Sequence, residues 1–131
     1  DYDFTLQKDA KKFEEGTPNT MSIHAFGAAL GLLLETGIDN IEKRVISLGN
    51  YIIAELNRRN IEIYSSTLLN ERSGNISFVL DKDVSKLYSF MLENKVKLTV
   101  RDGLVRFSPH FYNNEDEVLQ VFDILDSYLK K

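Results

Sequence analysis

Residues 96–108 read VKLTVRDGLVRFS, two alternating segments separated by an Asp-Gly dipeptide. Apolar and polar side chains alternate over 96–100, which predicts a strand with one buried face. Asp102 and Gly103 follow, and this dipeptide predicts a two-residue type I′ turn because both central positions of that turn need positive φ. Residues 104–108 alternate again and are expected to return as the antiparallel partner. The stretch therefore predicts a β-hairpin.

Outside the hairpin, the spacing of apolar residues predicts four helices and two more strands. The helices are expected over 20–36, from Asp39 to about Asn60, over 83–94 and from Asn113 to Leu129, and the strands over 61–63 and 76–80. The order is α-α-β-β-α-β-β-α. The predicted fold class is α+β, a mainly antiparallel sheet of about four strands with helices packed on one face.

Polar and glycine residues at the helix ends predict how those helices begin and end. Gly37 suits a C-cap of the first helix. Asp39 and Glu42 have the spacing of a capping box at the start of the second helix. Asn113 is the expected N-cap of the last helix, with Asp116 at its third position.

Composition narrows the classes of function. The chain has 131 residues, of which 43% are hydrophobic and 27% charged, as expected for one globular domain. Its net charge is −4 and it has no basic block, so neither nucleic acid nor a membrane is an expected partner. It has no cysteine, which excludes disulfides, thiolate metal sites and a thiol nucleophile within these residues. This usage fits a cytoplasmic protein, which is the predicted location.

Arg106 is the strongest candidate for a binding residue. Successive strand side chains point to opposite faces, so Val105 and Phe107 share one face and Arg106 lies on the other. A planar guanidinium on a rigid strand suits two-pronged binding of a carboxylate. The alternatives are a solvated surface arginine or one paired with a neighbouring acid.

The two histidines do not indicate a metal site. Neither His24 nor His110 has an acidic residue or a second histidine at a metal-ligand spacing, so no metal is predicted. His24 is expected to be a packed core or interface residue. His110 follows the arginine strand and could border a pocket, although a structural role is favoured. Residue chemistry alone predicts an α+β domain with an incomplete site.

Two motifs together carry a family resemblance. The first is FEEGTPN at 13–19 with TMSIHAFGAALGLLLETGIDNIEKR behind it, and the second is VRDGLVRFSPHFYNNEDEV at 100–118. In this order they resemble the C-terminal part of class V aminotransferases, a family of enzymes using pyridoxal 5′-phosphate that includes cysteine desulfurases. The resemblance spans essentially the whole chain. It implies a homodimeric enzyme acting on a small amino acid by transamination, elimination or epimerisation.

The resemblance also implies residue roles. Arg106 matches the family arginine that holds the substrate α-carboxylate, and Thr17 matches a threonine that reaches the cofactor phosphate of the neighbouring subunit. Asn113 matches an asparagine expected to cap a helix. No catalytic residue is assigned, because the lysine that binds the cofactor covalently belongs to a large domain upstream of the matched motifs.

From this we expect residues 1–18 to be a linker or the end of that large domain, and residues 19–131 to be the small C-terminal domain. Such a piece should be inactive alone. In the resembling cysteine desulfurases a catalytic cysteine lies on a loop ahead of the arginine, whereas the tight Asp102-Gly103 turn leaves no room for that loop. The alternative hypothesis is a stand-alone α+β interaction or ligand-sensing domain. The sequence does not identify the substrate side chain.

Overall fold

A computed structural model describes residues 5–14 and 16–130, and it confirms the α+β class. The chain divides into two compact units, one ending at Gly37 and one beginning at Ile38. The elements in chain order are a short 3₁₀ turn at Ala10–Phe13, α1 at Thr20–Thr36, α2 at Ile38–Arg58, β1 at Ile76–Phe78, α3 at Val84–Glu93, β2 at Thr99–Arg101, β3 at Leu104–Phe107 and α4 at Glu115–Leu129.

The first unit contains α1, which is capped at both ends. The Oδ1 atom of Asn19 accepts a hydrogen bond from the Ser22 backbone N–H at 3.1 Å. Gly37 has φ 86° and donates its N–H to the Leu33 carbonyl at 3.0 Å, which confirms it as the C-cap. None of the helix residues is buried. The apolar side chains of α1 are therefore open to solvent in this chain.

Among residues 5–14 and 16–130, no single helix is both long and apolar enough to span a bilayer, although α1 and α2 taken together meet those two criteria as a broken pair.

The second unit is built on a three-stranded antiparallel sheet in the order β1-β3-β2. Strands β2 and β3 form the predicted hairpin, and the turn residues Asp102 and Gly103 have φ values of 52° and 79°. Because β3 lies in the middle, it has a hydrogen-bonded neighbour on each side, which fixes its side chains on both faces.

The strand expected over 61–63 shrinks to a single bridge between Ile63 and Phe78. The backbone N–H groups of Tyr64 and Ser65 both donate to the Ser77 carbonyl, at 2.8 and 3.2 Å. Two consecutive donors on one acceptor break the regular alternation of an antiparallel ladder, so the pairing stops there. The sheet has three strands rather than about four.

The core lies between one face of the sheet and the helices α2, α3 and α4. Phe107 on β3 makes edge-to-face contacts with Phe78 on β1 and Phe122 on α4, with ring centroids 5.0 and 5.8 Å apart. The buried cluster consists of Leu48, Ile52, Leu56, Ile76, Phe78, Leu87, Met91, Leu98, Val105, Phe107, Val118, Phe122 and Leu125. It includes residues of α2, α3 and α4, so the arrangement with helices on one face of the sheet is confirmed for these three helices.

The starts of α2 and α4 differ from the predictions. The N-cap of α4 is Asn114, which forms a capping box with Glu117, and not Asn113. The Asn113 side chain instead accepts from the His110 N–H at 2.9 Å and closes a turn before the helix. Helix α2 starts at Ile38, so Asp39 lies inside its first turn and is not its N-cap. The reason is that Gly37, with φ 86°, turns the chain directly before Ile38, so α2 begins one residue earlier than predicted.

Candidate functional site

Alternation along β3 confirms that Arg106 lies on the sheet face opposite the core. Val105 and Phe107 are buried, whereas Leu104 and Arg106 are partly exposed. The backbone register places Ser77 of β1 and Thr99 of β2 directly opposite Arg106, one on each side. Side chains that oppose each other in a sheet point to the same face. A guanidinium is thus flanked by two hydroxyl-bearing residues.

These residues line a small recess on the sheet face. Its volume is about 110 Å³, and its walls are Ser77, Thr99, Arg101, Asp102, Leu104 and Arg106. All six belong to the second unit. The recess has the size of a small polar molecule and not of a large ligand.

Arg106 enters the recess without an acidic partner. Its Nε atom is buried with no hydrogen bond, and no ion pair to it is formed within residues 5–14 and 16–130. The arginines that hold the fold together behave differently. Arg44 makes a two-pronged contact with Glu115 at 2.6 and 2.9 Å, and Arg59 makes one with Asp126 at 2.7 and 2.9 Å. Arg106 therefore keeps its capacity for a carboxylate.

Arg101 lies across the hairpin from Leu104 and lines the same recess. Its nearest described acid is Asp102, with Nε and Oδ2 3.5 Å apart, and both side chains are more than four-fifths exposed. Our sequence prediction did not include Arg101, Ser77 or Thr99. The sequence did carry a signal for Arg101 and Thr99, because a two-residue turn pairs Arg101 with Leu104 and Thr99 with Arg106 and so places them on the face of Arg106.

Thr17 belongs to the first unit and lies in an exposed turn just before α1. Gly16 adopts φ 82° there, and the Pro18 carbonyl accepts from the Thr20 N–H at 2.8 Å. In the part of the chain that the structure describes, the Thr17 hydroxyl makes no hydrogen bond. The structure describes Thr17 and Arg106 each within its own unit.

The histidines take no part in the recess. His24 is exposed on α1, so the expectation that it packs in a core is wrong for this chain, and the alternative that it is an interface residue stays a prediction. His110 is half-buried, stacks on Tyr112 with ring centroids 5.0 Å apart, and is not among the residues lining the recess. Among the described residues, no group of three or more metal-ligating side chains is found.

The class V aminotransferase family (Aminotransferase class-V) matches residues 2–121, and the chain belongs to this family. It is 25% identical over 93% of its length to an uncharacterized aminotransferase of Bacillus subtilis (strain 168). It is 33% identical over 82% of its length to a cysteine desulfurase of Cronobacter sakazakii (strain ATCC BAA-894).

Solved structures confirm the fold. An apo cysteine desulfurase from Thermococcus onnurineus NA1 superposes with a TM-score of 0.88 over 97% of this chain, at 20% identity. A NifS-like protein superposes with a TM-score of 0.77 over 88% of it, at 19% identity. The chain spans 32% and 29% of the two sequence relatives, and 35% of each of the two structures.

Proposed function

We propose that this chain is the substrate-carboxylate part of a pyridoxal-phosphate enzyme that acts on a small amino acid. The observation that carries the proposal is the unpaired Arg106 guanidinium in a recess flanked by two hydroxyl residues. Family membership supports the enzyme class. The reaction class is transamination, elimination or epimerisation.

Arg106 would bind the substrate through its α-carboxylate. A bidentate guanidinium–carboxylate contact fixes the plane of the carboxylate as well as its position. Because β3 is hydrogen-bonded on both sides, the strand holds Arg106 at a defined place and the substrate is oriented with it. Ser77 and Thr99 flank Arg106 with small polar side chains, which would leave room in the recess for the carboxylate.

Pyridoxal 5′-phosphate, when bound, supplies an electron sink for the carbanion formed at the substrate Cα. The described residues fit one part of its binding: Thr17 offers a hydroxyl without a partner in an exposed turn ahead of a helix N-terminus, a setting that suits a phosphate. We propose that Thr17 contacts the phosphate bound by the neighbouring subunit of a homodimer. A lysine outside this segment would hold the cofactor covalently.

The proposed organisation follows from these roles. Residues 1–18 would connect to the cofactor domain, and residues 19–131 would form the small domain. Residues 1–4 and 15 of the proposed connection lie outside the described part of the chain. Without the cofactor domain, these residues would not catalyse the reaction.

The tight hairpin bears on the reaction class. Two central residues, Asp102 and Gly103, join β2 to β3, and the chain contains no cysteine. No cysteine of this chain can therefore deliver a thiolate to a substrate held at Arg106. We propose a reaction that does not use a cysteine nucleophile from this segment, although several relatives carry the name cysteine desulfurase.

The test is Arg106→Ala in the complete enzyme. Loss of a charge-assisted, desolvated contact should lower kcat/KM for the amino acid by about 30-fold or more. An amine substrate that lacks the carboxylate should be affected far less. Arg58→Ala is the matched control, because Arg58 is an exposed arginine that pairs with Glu55 and does not line the recess. Equal losses for the amino acid and the amine would show that Arg106 does not bind the carboxylate.

A further inference from the structure

We infer that the recess around Arg106 selects an amino acid with a second acidic group, which Arg101 binds. This inference rests on the proposed function, in which Arg106 holds the α-carboxylate. It names the substrate class, an acidic amino acid such as aspartate or glutamate.

The sheet register sets the spacing of the two cations. Arg106 opposes Thr99, and Arg101 lies two residues beyond Thr99 on the same strand. Arg101 and Arg106 are therefore diagonal neighbours on one face, whose Cα atoms in such sheets are about 7–8 Å apart, within reach of long side chains. Both line the same recess of about 110 Å³. Two acidic groups of one small molecule can thus meet one guanidinium each.

The positive charge of Arg101 is only weakly neutralised by Asp102. The contact of Arg101 with Asp102 is one of 3.5 Å between exposed side chains, in contrast to the short two-pronged pairs of Arg44 and Arg59. Exposed ion pairs of this geometry contribute little. A substrate carboxylate can therefore take the place of Asp102 at the guanidinium.

Arg101 is expected to contribute little to the stability of the fold. It lies at the end of β2, its side chain is 83% exposed, and it is not a member of the buried cluster. Removing the charge should leave the core intact. This separates Arg101 from Arg44 and Arg59, whose loss would unlink α2 from the segment around α4.

The experiment is an NMR titration of this chain with L-aspartate and, separately, with L-asparagine at low ionic strength. The two probes share the α-carboxylate and differ only in the charge of the side chain. We expect shifts at the recess residues with both, and about fivefold tighter binding of aspartate, the effect of one exposed ion pair. Arg101→Gln should remove this difference without weakening asparagine, and Arg106→Gln should weaken both probes.

Two further variants complete the test. Asp102→Asn should tighten aspartate binding, because it releases Arg101 from its only described acid. Arg58→Gln should change neither affinity. If both probes shift Arg106 but bind equally tightly, the inference is wrong and the proposed function stands. If neither probe shifts the recess residues, the carboxylate role of Arg106 fails and the inference fails with it. Equal weakening of both probes by Arg101→Gln would also overturn the inference.

Discussion

Arg59, directly after α2, and Asp126 of α4 form a two-pronged ion pair in which Nε and Nη2 donate to the two carboxylate oxygens at 2.7 and 2.9 Å. Arg59 also donates to Glu55 and lies over the ring of Phe122, 4.5 Å from its centroid. One side chain therefore joins two helices by charge, hydrogen bonds and packing. These contacts make the pair a sensitive point for the stability of the second unit.

Acid should weaken this link. Hydrogen bonds from Arg59 hold the pKa of Asp126 below its ordinary value of 3.8, and hydrogen bonds from Arg59 and then Arg58 hold that of Glu55 below 4.5. A lowered folded-state pKa stabilises the fold above the unfolded pKa, and the stabilisation is lost as pH falls through the folded value. The free energy of unfolding should therefore be constant from pH 7 to about pH 5 and decline below pH 4.5.

Urea unfolding of Arg59→Leu and of the control Arg58→Leu checks this prediction. Arg59→Leu should lose about 1–3 kcal/mol at pH 7, because it leaves the Asp126 carboxylate without its donor. Its deficit relative to the parent chain should shrink at pH 3. A deficit that is the same at both pH values would mean that Arg59 stabilises through packing alone.

Gly74 is expected to tolerate no side chain. A Cβ at this position would lie 2.2 Å from Cγ1 of Val45 on α2. Gly74→Ala should therefore destabilise the fold by about 1–3 kcal/mol, the usual cost of overpacking. Thermal unfolding measures the loss, and adding Val45→Ala should recover part of it. No recovery in the double variant would show that the backbone of Gly74, and not the clash, sets the cost.

The hairpin turn depends on left-handed backbone at two positions. Asp102 has φ 52°, which Asn and Gly adopt readily and a β-branched residue does not. Asp102→Val should cost about 1–2 kcal/mol in urea unfolding, while Asp102→Asn should be close to neutral. Equal stability of the two variants would contradict the type I′ turn.

Thr17 is expected to contribute to the retention of the cofactor and not to the stability of the fold. Thr17→Val in the complete enzyme should weaken retention of pyridoxal 5′-phosphate by about 1.5–3 kcal/mol, the contribution of a hydrogen bond to a charged group. The melting temperature of the cofactor-free form should hardly change. Thr67→Val is the control, since Thr67 is another exposed threonine outside any helix. If both variants retain the cofactor like the parent, the turn is only a cap and connector.

This chain alone should not bind the cofactor covalently. We propose that the cofactor lysine lies outside this segment, and none of the described lysines lines the recess around Arg106. Mixing with pyridoxal 5′-phosphate, reduction with borohydride and mass spectrometry should give no stoichiometric adduct at a single lysine. One fully modified site would contradict the proposed division of roles.

Local patterns in the sequence predicted the parts of the fold that depend on neighbouring residues. The hairpin turn, the Gly37 cap and the outward position of Arg106 follow from φ preferences and from strand alternation. The prediction of Asn113 as the N-cap is wrong because Asn113 and Asn114 are consecutive asparagines, and either one suits an N-cap. Only the structure distinguishes them: Asn113 accepts a hydrogen bond from the His110 N–H, and Asn114 caps α4. The placement of Ser77 beside Arg106 depends on the pairing of β1 with β3, which no local pattern specifies.

The position of Arg106 on the middle strand has a consequence for the evolution of the site. The same four residues of β3 serve the core through Val105 and Phe107 and the recess through Leu104 and Arg106. Selection for a new substrate can therefore alter one face while the other keeps the domain folded. The flanks come from β1 and β2, so single substitutions at Ser77 or Thr99 can reshape the recess without disturbing the hydrophobic packing. Residues on the recess face of such a strand can therefore be substituted with little effect on the free energy of unfolding.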